Sequence, residues 1–414
     1  MSLHQEPEGY ENRVTQYLEK LLEVVERYAG KQVVREFRTI KSEREKYLQE
    51  QWIPVSEGTK EVVLRDVDYQ HLLTLLTDGI GNDFDQYYQA HKEIVSICME
   101  YGKYDRAFSI LETLSIPNDD SQKQAEYHML CGKMYLFRNA YEKSVAEYKQ
   151  AMEIYRMLGD NFALVSVYNN LGILAHEQWQ IEDGKYYFEQ AKELALEVGK
   201  DEAIPMLEIN LGIVHNIHGE SEKAYALFSR LHDRVTGTDH DWMIQLYVNH
   251  SISAKDCGRP EEGKRILEEA QSILDETRDS RSVAIYHLAF GEVLIHTGEY
   301  EDSLRHLGIA FKIFSQLFDL VHVADTYRTF AMLHMKQGYY ELAESEFRIS
   351  LRVNQEKGNV HNLAVTYYEY SKLAEQLGKR ADQEERLHKS LSLYRSIGAS
   401  QWIQRIQREL NEIQ

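Results

Sequence analysis

Apolar side chains along this chain fall at helical spacing, and the helices they predict come in a repeating order. The segment Val167-Tyr168-Asn169-Asn170-Leu171-Gly172 returns in weaker form as Leu207-Glu208-Ile209-Asn210-Leu211-Gly212. Phe188 and Phe228 follow the two glycines at the same offset. Sliding this template along the chain puts its small position at Val95, Gly132, Gly172, Gly212, Ser251, Gly291, Ala331 and Ser371, with spacings of 37, 40, 40, 39, 40, 40 and 40. Twelve residues on comes a second small position: Ala107, Ser144, Gly184, Ala224, Gly263, Ser303, Ala343 and Gln383. Four further on comes a large apolar one: Leu111, Tyr148, Phe188, Phe228, Leu267, Leu307, Phe347 and Leu387. Gly, Ala or Ser fills fourteen of the sixteen small slots, against roughly a fifth expected from average usage. A period of this length predicts a solenoid of stacked supersecondary units rather than one globular core.

Each unit reads as a helical hairpin. Small side chains on both helices let the axes approach, and the large residue plugs the gap beside them. Gly102, Gly219, Gly258, Gly298, Gly338 and Gly378 fall between the two small positions, where a left-handed residue ends the first helix. Pro260 follows Gly258, where a first-turn proline costs the second helix nothing. The exceptions, Val95 and Gln383, lie in the first and last copies, where a repeat lacks one neighbour.

The pattern Leu-Gly, then Gly, Ala, Phe or Tyr, and Ala at fixed offsets resembles the tetratricopeptide repeat (TPR), most clearly over Asn170 to Ala191 and Tyr286 to Ala310. The usual repeat has 34 residues; at mostly 40, this one is more similar to the longer-helix branch found in peptide-binding bacterial regulators and in adaptors that hold extended peptides. The resemblance implies an all-α, right-handed superhelical solenoid of about eight TPR-like hairpins over residues 85–398. An N-terminal helical region, 1–84, precedes it, and a capping helix, 399–414, closes it with Trp402, Ile406, Leu410 and Ile413 on one face.

Within 1–84, Val14, Leu18, Leu21, Leu22 and Val25 predict one helix, and Val34, Phe37, Ile40 and Tyr47 a second. Trp52-Ile53-Pro54 ends the second helix, Glu61 to Asp66 reads as a short extended piece, Tyr69 to Thr77 as helix, and Gly79 to Asp83 as the boundary. This region is either a cap on the first repeat or an effector module. Between hairpins, Pro117 to Asp120, Gly159-Asp160-Asn161, Gly199-Lys200-Asp201 and Gly358-Asn359 carry stop and start signals, and a residue is lost near Thr236 to Asp239.

The formal net charge of −20 argues against nucleic-acid phosphates and anionic membranes as partners. Val283 to Ile295, the longest apolar-rich stretch, is too short to span a bilayer and contains His287 and Glu292. Cys98, Cys131 and Cys257 show no pairing or metal spacing, and the first two face the expected core. With no apolar run at the N-terminus, these features fit a cytoplasmic protein. His215 and His218 stand one turn apart, but no carboxylate or Cys completes a set at helical spacing; His232, Asp233, His240 and Asp241 surround a loop and could catch a metal ion, although a solvated acidic loop is the expected reading. No phosphate loop, nucleophile elbow or zinc-protease helix is present, so no catalytic residue, metal or cofactor is expected.

In the TPR family the first helix of each hairpin lines the concave face. With the small residue as position eight, positions two, five, six, nine and twelve point into the groove. Position six gives Asn170, Asn210 and Asn249, with Asn169 alongside; an amide both donates and accepts, so such a ladder can grip a peptide backbone of any sequence. Around it lie Ile209, Ile213, Val248, Ile252, Ile285, Leu288 and Ile295. Exposed apolar patches mark an interaction site: for a partner's peptide or helix, for the N-terminal helix folded in, or for a homodimer contact. Arg328, Lys336 and Lys372 add positive groups beside Asp325 and Glu369. The expected function is a non-catalytic protein- or peptide-binding scaffold. The alternatives are a peptide-sensing regulator acting through 1–84, and a sensory segment of a larger signalling protein.

Overall fold

A computed structural model describes residues 8–50, 57–100, 103–117, 119–138, 140–234, 240–274 and 280–413. Among them the chain is helical, in two compact units, Met1–Ile154 and Tyr155–Gln414.

In the first unit, α1 (Glu8–Ala29), α2 (Lys31–Glu50) and α3 (Glu57–Ile80) form the N-terminal region. Two hairpins follow: α4 (Phe84–Glu100) with α5 (Tyr104–Thr113), and α6 (Ser121–Phe137) with α7 (Tyr141–Leu158). Leu21, Leu22, Val25, Val34 and Phe37 are buried as the helical stripe predicts; Val14, Tyr47 and Trp52-Ile53-Pro54 lie outside the residues whose side chains are described. One expectation is corrected: Glu61 to Asp66 is part of α3, not an extended piece. Its two valines have weak helix propensity, but no breaker separates them from Tyr69, and helix continuity overrides so small a preference. Helix α1 packs on α4, where the buried Cys98 thiol lies 3.2 Å from the Tyr17 hydroxyl and 3.6 Å from that of Tyr69.

The second unit holds six hairpins among the described residues. They are α8 (Asn161–Glu177) with α9 (Ile181–Val198), α10 (Ile204–Ile217) with α11 (Ser221–Arg234), and α12 (His240–Asp256) with α13 (Pro260–Leu274). Then come α14 (Ser280–Thr297) with α15 (Tyr300–Gln316), α16 (Leu320–Lys336) with α17 (Tyr340–Lys357), and α18 (Val360–Gln376) with α19 (Arg380–Ser396). The helix α20 (Ser400–Ile413) closes the chain, with Ile406 and Leu410 buried. This is a TPR-like superhelical solenoid.

The two-helix seam of each hairpin is built as the repeat requires. A Cβ added to Gly172 would stand 2.6 Å from the Phe188 ring, and one on Gly212 2.3 Å from that of Phe228, so the plug lies flat on the glycine. At the second small position, Ser144 and Ser303 each donate to the carbonyl of the facing glycine, Gly132 and Gly291, at 2.7 Å. Asp160, Asp319 and Asn359 cap α8, α16 and α18 by accepting from the third backbone N–H. The link near Thr236 to Asp239 lies outside the described residues.

Helix-ending glycines have positive φ: Gly219, Gly258, Gly298, Gly338 and Gly378 within hairpins, and Gly159, Gly199, Gly358 and Gly398 between them. Two aromatic residues occupy the same slots. Trp179 (φ 59°) stands where the other hairpins of this unit carry glycine, and Phe318 (φ 54°) where the links do. An aromatic residue in this region is strained. Phe318 is 86% exposed, and nothing in the structure explains it.

Candidate functional site

The first helices of the second unit's hairpins, α8, α10, α12, α14, α16 and α18, lie against one another in sequence. This arrangement decides which positions reach the inner face. The aliphatic residues at position five do not. Ile209, Val248 and Leu288 are 3%, 3% and 9% exposed, which corrects their expected place in an open groove. Successive first helices pack on one another, and these three aliphatic side chains are buried in the packed core. Ile295 is buried as well, whereas Ile213, Ile252 and Ile285 remain half-buried.

The asparagines divide. Asn210 Nδ2 donates to Asn169 Oδ1 at 3.0 Å, joining α10 to α8. Asn170 is half-buried one residue on. Asn249 instead donates to Gln245 O of its own helix at 2.8 Å, so the three do not form a continuous ladder. The bridge from α10 to α12 is made by Asn216, whose Oδ1 accepts from Ser253 Oγ at 3.0 Å. Asn216 escaped the sequence reading, although at position twelve it was on the groove list.

Past α12 the inner face becomes charged. Lys255 of α12 sits 2.5 Å from Glu292 of α14 and 3.0 Å from Asp256. Arg328 of α16 reaches Glu292 at 3.7 Å and Asp325 at 3.9 Å. Asp325 accepts from Asn362 Nδ2 of α18 at 2.8 Å, and Lys372 pairs with Glu369 at 2.7 Å. Burial alone would raise the Glu292 pKa, but Lys255 and Arg328 outweigh it and hold the carboxyl well below the usual range. Lys372 and Arg328 do the same for Glu369. For Asp325 burial wins, and its pKa is raised despite Arg328 and His322. Asp325 Oδ1 and Arg328 Nε, facing each other, have no hydrogen-bond partner. These residues span four consecutive hairpins, yet only Arg328, Lys372, Asp325 and Glu369 stood out in the sequence. Lys336, grouped with them there, is exposed. The missed signal was Glu292, a lone carboxylate inside the apolar stretch Val283 to Ile295.

The histidines have other partners. His215 Nδ1 lies 2.6 Å from Glu220, and His218 3.6 Å from Glu182. His232 and His250 face each other, Nδ1 to Nδ1, at 3.2 Å, with Ser229 Oγ 3.0 Å from His250 Nε2. His287 and His306 do so at 2.9 Å. Burial, with the neighbouring ring adding to it, pushes His250 and His287 each down to about 4. The side chains of His240 and Asp241 lie outside those described. Among the described residues no group of three or more His, Cys, Asp or Glu is arranged to hold a metal, and no helix is long and apolar enough to cross a membrane.

The sequence matches no protein-family model and no curated protein. Solved structures resemble the fold. One is a Rap protein complexed with competence and sporulation factor: TM-score 0.51, 13% identity, covering 80% of this chain and 96% of that one. Another is the apo form of the quorum sensor NprR from B. thuringiensis: TM-score 0.51, 13% identity, covering 92% of this chain and 98% of that one.

Proposed function

We propose that this protein is a non-catalytic, cytoplasmic receptor for a peptide or protein segment, held on the inner face of the second unit. One observation carries the reading. On α8, α10 and α12 the half-buried residues of that face alternate between amides, Asn170, Asn210 and Asn249, and aliphatics, Ile213 and Ile252. Amides suit a peptide backbone and aliphatics its apolar side chains. Arg328 and its carboxylate neighbours lie farther along the same face and would read polar groups of the ligand. Likeness of fold to a Rap protein crystallised with competence and sporulation factor, and to a quorum sensor, supports a receptor reading.

The test is affinity capture from native cytosol with wild type, an Asn170→Ala, Asn210→Ala, Asn249→Ala triple variant, and an Ile213→Asp, Ile252→Asp variant. Loss of the same partner from both variants, at unchanged helical content, is expected. Identical partners throughout would overturn the assignment of this face, and a change in oligomeric state of the aspartate variant alone would reassign it to a homodimer contact.

A second reading makes the chain a peptide-responsive regulator whose residues 1–84 act on a signalling partner. It is favoured by the packing of α1 on α4, which seats the N-terminal helices on the first hairpin. A captured peptide that alters protease cleavage near Gly79 to Asp83 would support it; cleavage indifferent to the peptide would leave a passive scaffold.

A further inference from the structure

The inner face of the second unit is closed across, and two tryptophans close it. Trp179, in the turn of the first hairpin of this unit, stacks on His361 in the first turn of α18: the rings are 5.3 Å apart and 13° from parallel. Trp402 of α20 stacks on Tyr394 of α19 at 5.2 Å and 4°, and meets Tyr368 of α18 edge-on at 5.3 Å. Its other side lies on the turn between α10 and α11. A Cβ added to Gly219 there would stand 3.0 Å from Trp402 Cδ1 and 3.2 Å from Gln401 Cβ. Gly219 therefore meets two demands at once, a left-handed backbone (φ 78°) and room for the indole.

These contacts join parts of the unit far apart in sequence. A single buried cluster runs from Leu207 and Phe228 to Tyr368, Leu391 and Leu410. Across the interior, Glu177 of α8 feels the charges of Arg281 and His322 on α14 and α16.

The closed form carries costs. The turn at residue 179 gives up the glycine used at Gly219, Gly258, Gly298, Gly338 and Gly378, and accepts a strained tryptophan whose gain is the stack on His361. Beneath the closure, Asp325 Oδ1, Arg328 Nε and Tyr394 OH are buried without hydrogen-bond partners. Water or a ligand would satisfy them if the face opened.

We propose that Trp179 on His361 and Trp402 on the Gly219 turn form a two-point clasp that holds the superhelix shut, so that the inner face opens to a ligand only when its first and last hairpins part. The regulatory part of this proposal rests on the peptide-receptor reading. The clasp does not, because it is a property of the free protein.

The experiment is hydrogen exchange, read by mass spectrometry on the full chain without ligand. Trp179→Gly keeps the left-handed turn and deletes the stack; His361→Ala deletes it from the other side and serves if the first variant misfolds. Both are expected to raise amide exchange in Ile403–Leu410 by about tenfold or more, although neither residue touches α20 in sequence. Trp402→Ala is expected to do the same for the amides of the turn between α8 and α9. Faster exchange confined to the turn around residue 179, or to α20 itself in Trp402→Ala, overturns the clasp and leaves two independent packing contacts. A clasp verified in this way beside asparagine variants that capture their partners normally would retain the closure and discard the peptide site. Variants that capture abnormally but show no linked exchange would do the reverse.

Discussion

The two faces of a first helix in the second unit obey different rules. Toward its own hairpin mate each helix repeats the same device, a small residue under a large plug: Gly172 under Phe188, Gly212 under Phe228, Gly291 under Leu307. Toward the interior the repetition stops partway along the unit. Position nine, for example, is Ile173, Ile213 and Ile252 in the first three hairpins and then Glu292, Met332 and Lys372. The seam must be the same everywhere because every hairpin solves one packing problem. The interior is free to differ, and where a surface is free to differ its chemistry reflects what it meets.

The seam should therefore be where a substitution costs most. Phe228→Ala removes a fully buried ring from over Gly212 and leaves a cavity that the glycine cannot fill. A loss of about 4 kcal/mol is expected, measured by urea unfolding. A loss below about 1 kcal/mol would mean that the seam is not what holds the hairpin. Next in size is Glu292→Gln, which strips Lys255 and Arg328 of their shared carboxylate. About 3 kcal/mol is expected, since a buried charge is left without its counter-ion. The Glu292→Gln, Arg328→Gln double variant should cost clearly less than the two singles together. Additive losses would show that the two residues act separately and that the inner charges are not a network.

How much of this the sequence disclosed follows the same division. The hairpin seams were legible, because Gly, Ala or Ser recurs beside a large apolar residue at nearly one period, and so were the described glycine turns. The inner face was legible by helix but not by residue. Position five was expected to line the groove, and in Ile209, Val248 and Leu288 it is buried. Whether a side chain at the margin of a face is exposed depends on how sharply successive hairpins turn, and that angle sums small rotations that no single residue specifies. The closure by Trp179 and Trp402 was hidden for the same reason. A trace of it was present even so: Trp179 stands in a turn slot that carries glycine in the hairpins after it.

Smaller than the charge effect is a dependence on pH that separates the hairpin contacts from the interior network. His250 sits between α11 and α12 with His232, Asp233 and Glu262 around it, and its pKa is pushed down to about 4 by burial first and the second ring next. A folded-state pKa below the unfolded value of about 6.5 means that the unfolded chain binds the proton more readily. The stabilisation from a neutral His250 is thus complete above about pH 6.5 and is lost as pH falls toward 4. Its size is at most about 3 kcal/mol. Stability measured from pH 7 to pH 4 should fall less steeply in His250→Gln than in wild type by that amount. His322, whose pKa is raised by Asp319 against burial, works in the opposite direction, so only the difference between variant and wild type isolates His250. Equal slopes would show that His250 takes up its proton as readily in the fold as in the unfolded chain.

The smallest expected effect decides between bracing and gripping. Asn210 Nδ2 donates to Asn169 Oδ1, and a neutral, half-exposed hydrogen bond of this kind contributes about 1 kcal/mol or less, because water replaces it when it is lost. If the pair is only a brace between α8 and α10, Asn210→Ala and Asn169→Ala should each cost that much, the double variant no more than either, and capture of a ligand should be unaffected. If the pair presents its remaining amide atoms to a peptide, the stability cost is the same but affinity falls about tenfold. Asn170→Ala, outside the bridge, should then lower affinity with a stability change within about 0.5 kcal/mol. Asn170 is thus the cleaner probe: it is half-buried on the same face and outside the bridge, so a loss of affinity there would belong to the ligand alone.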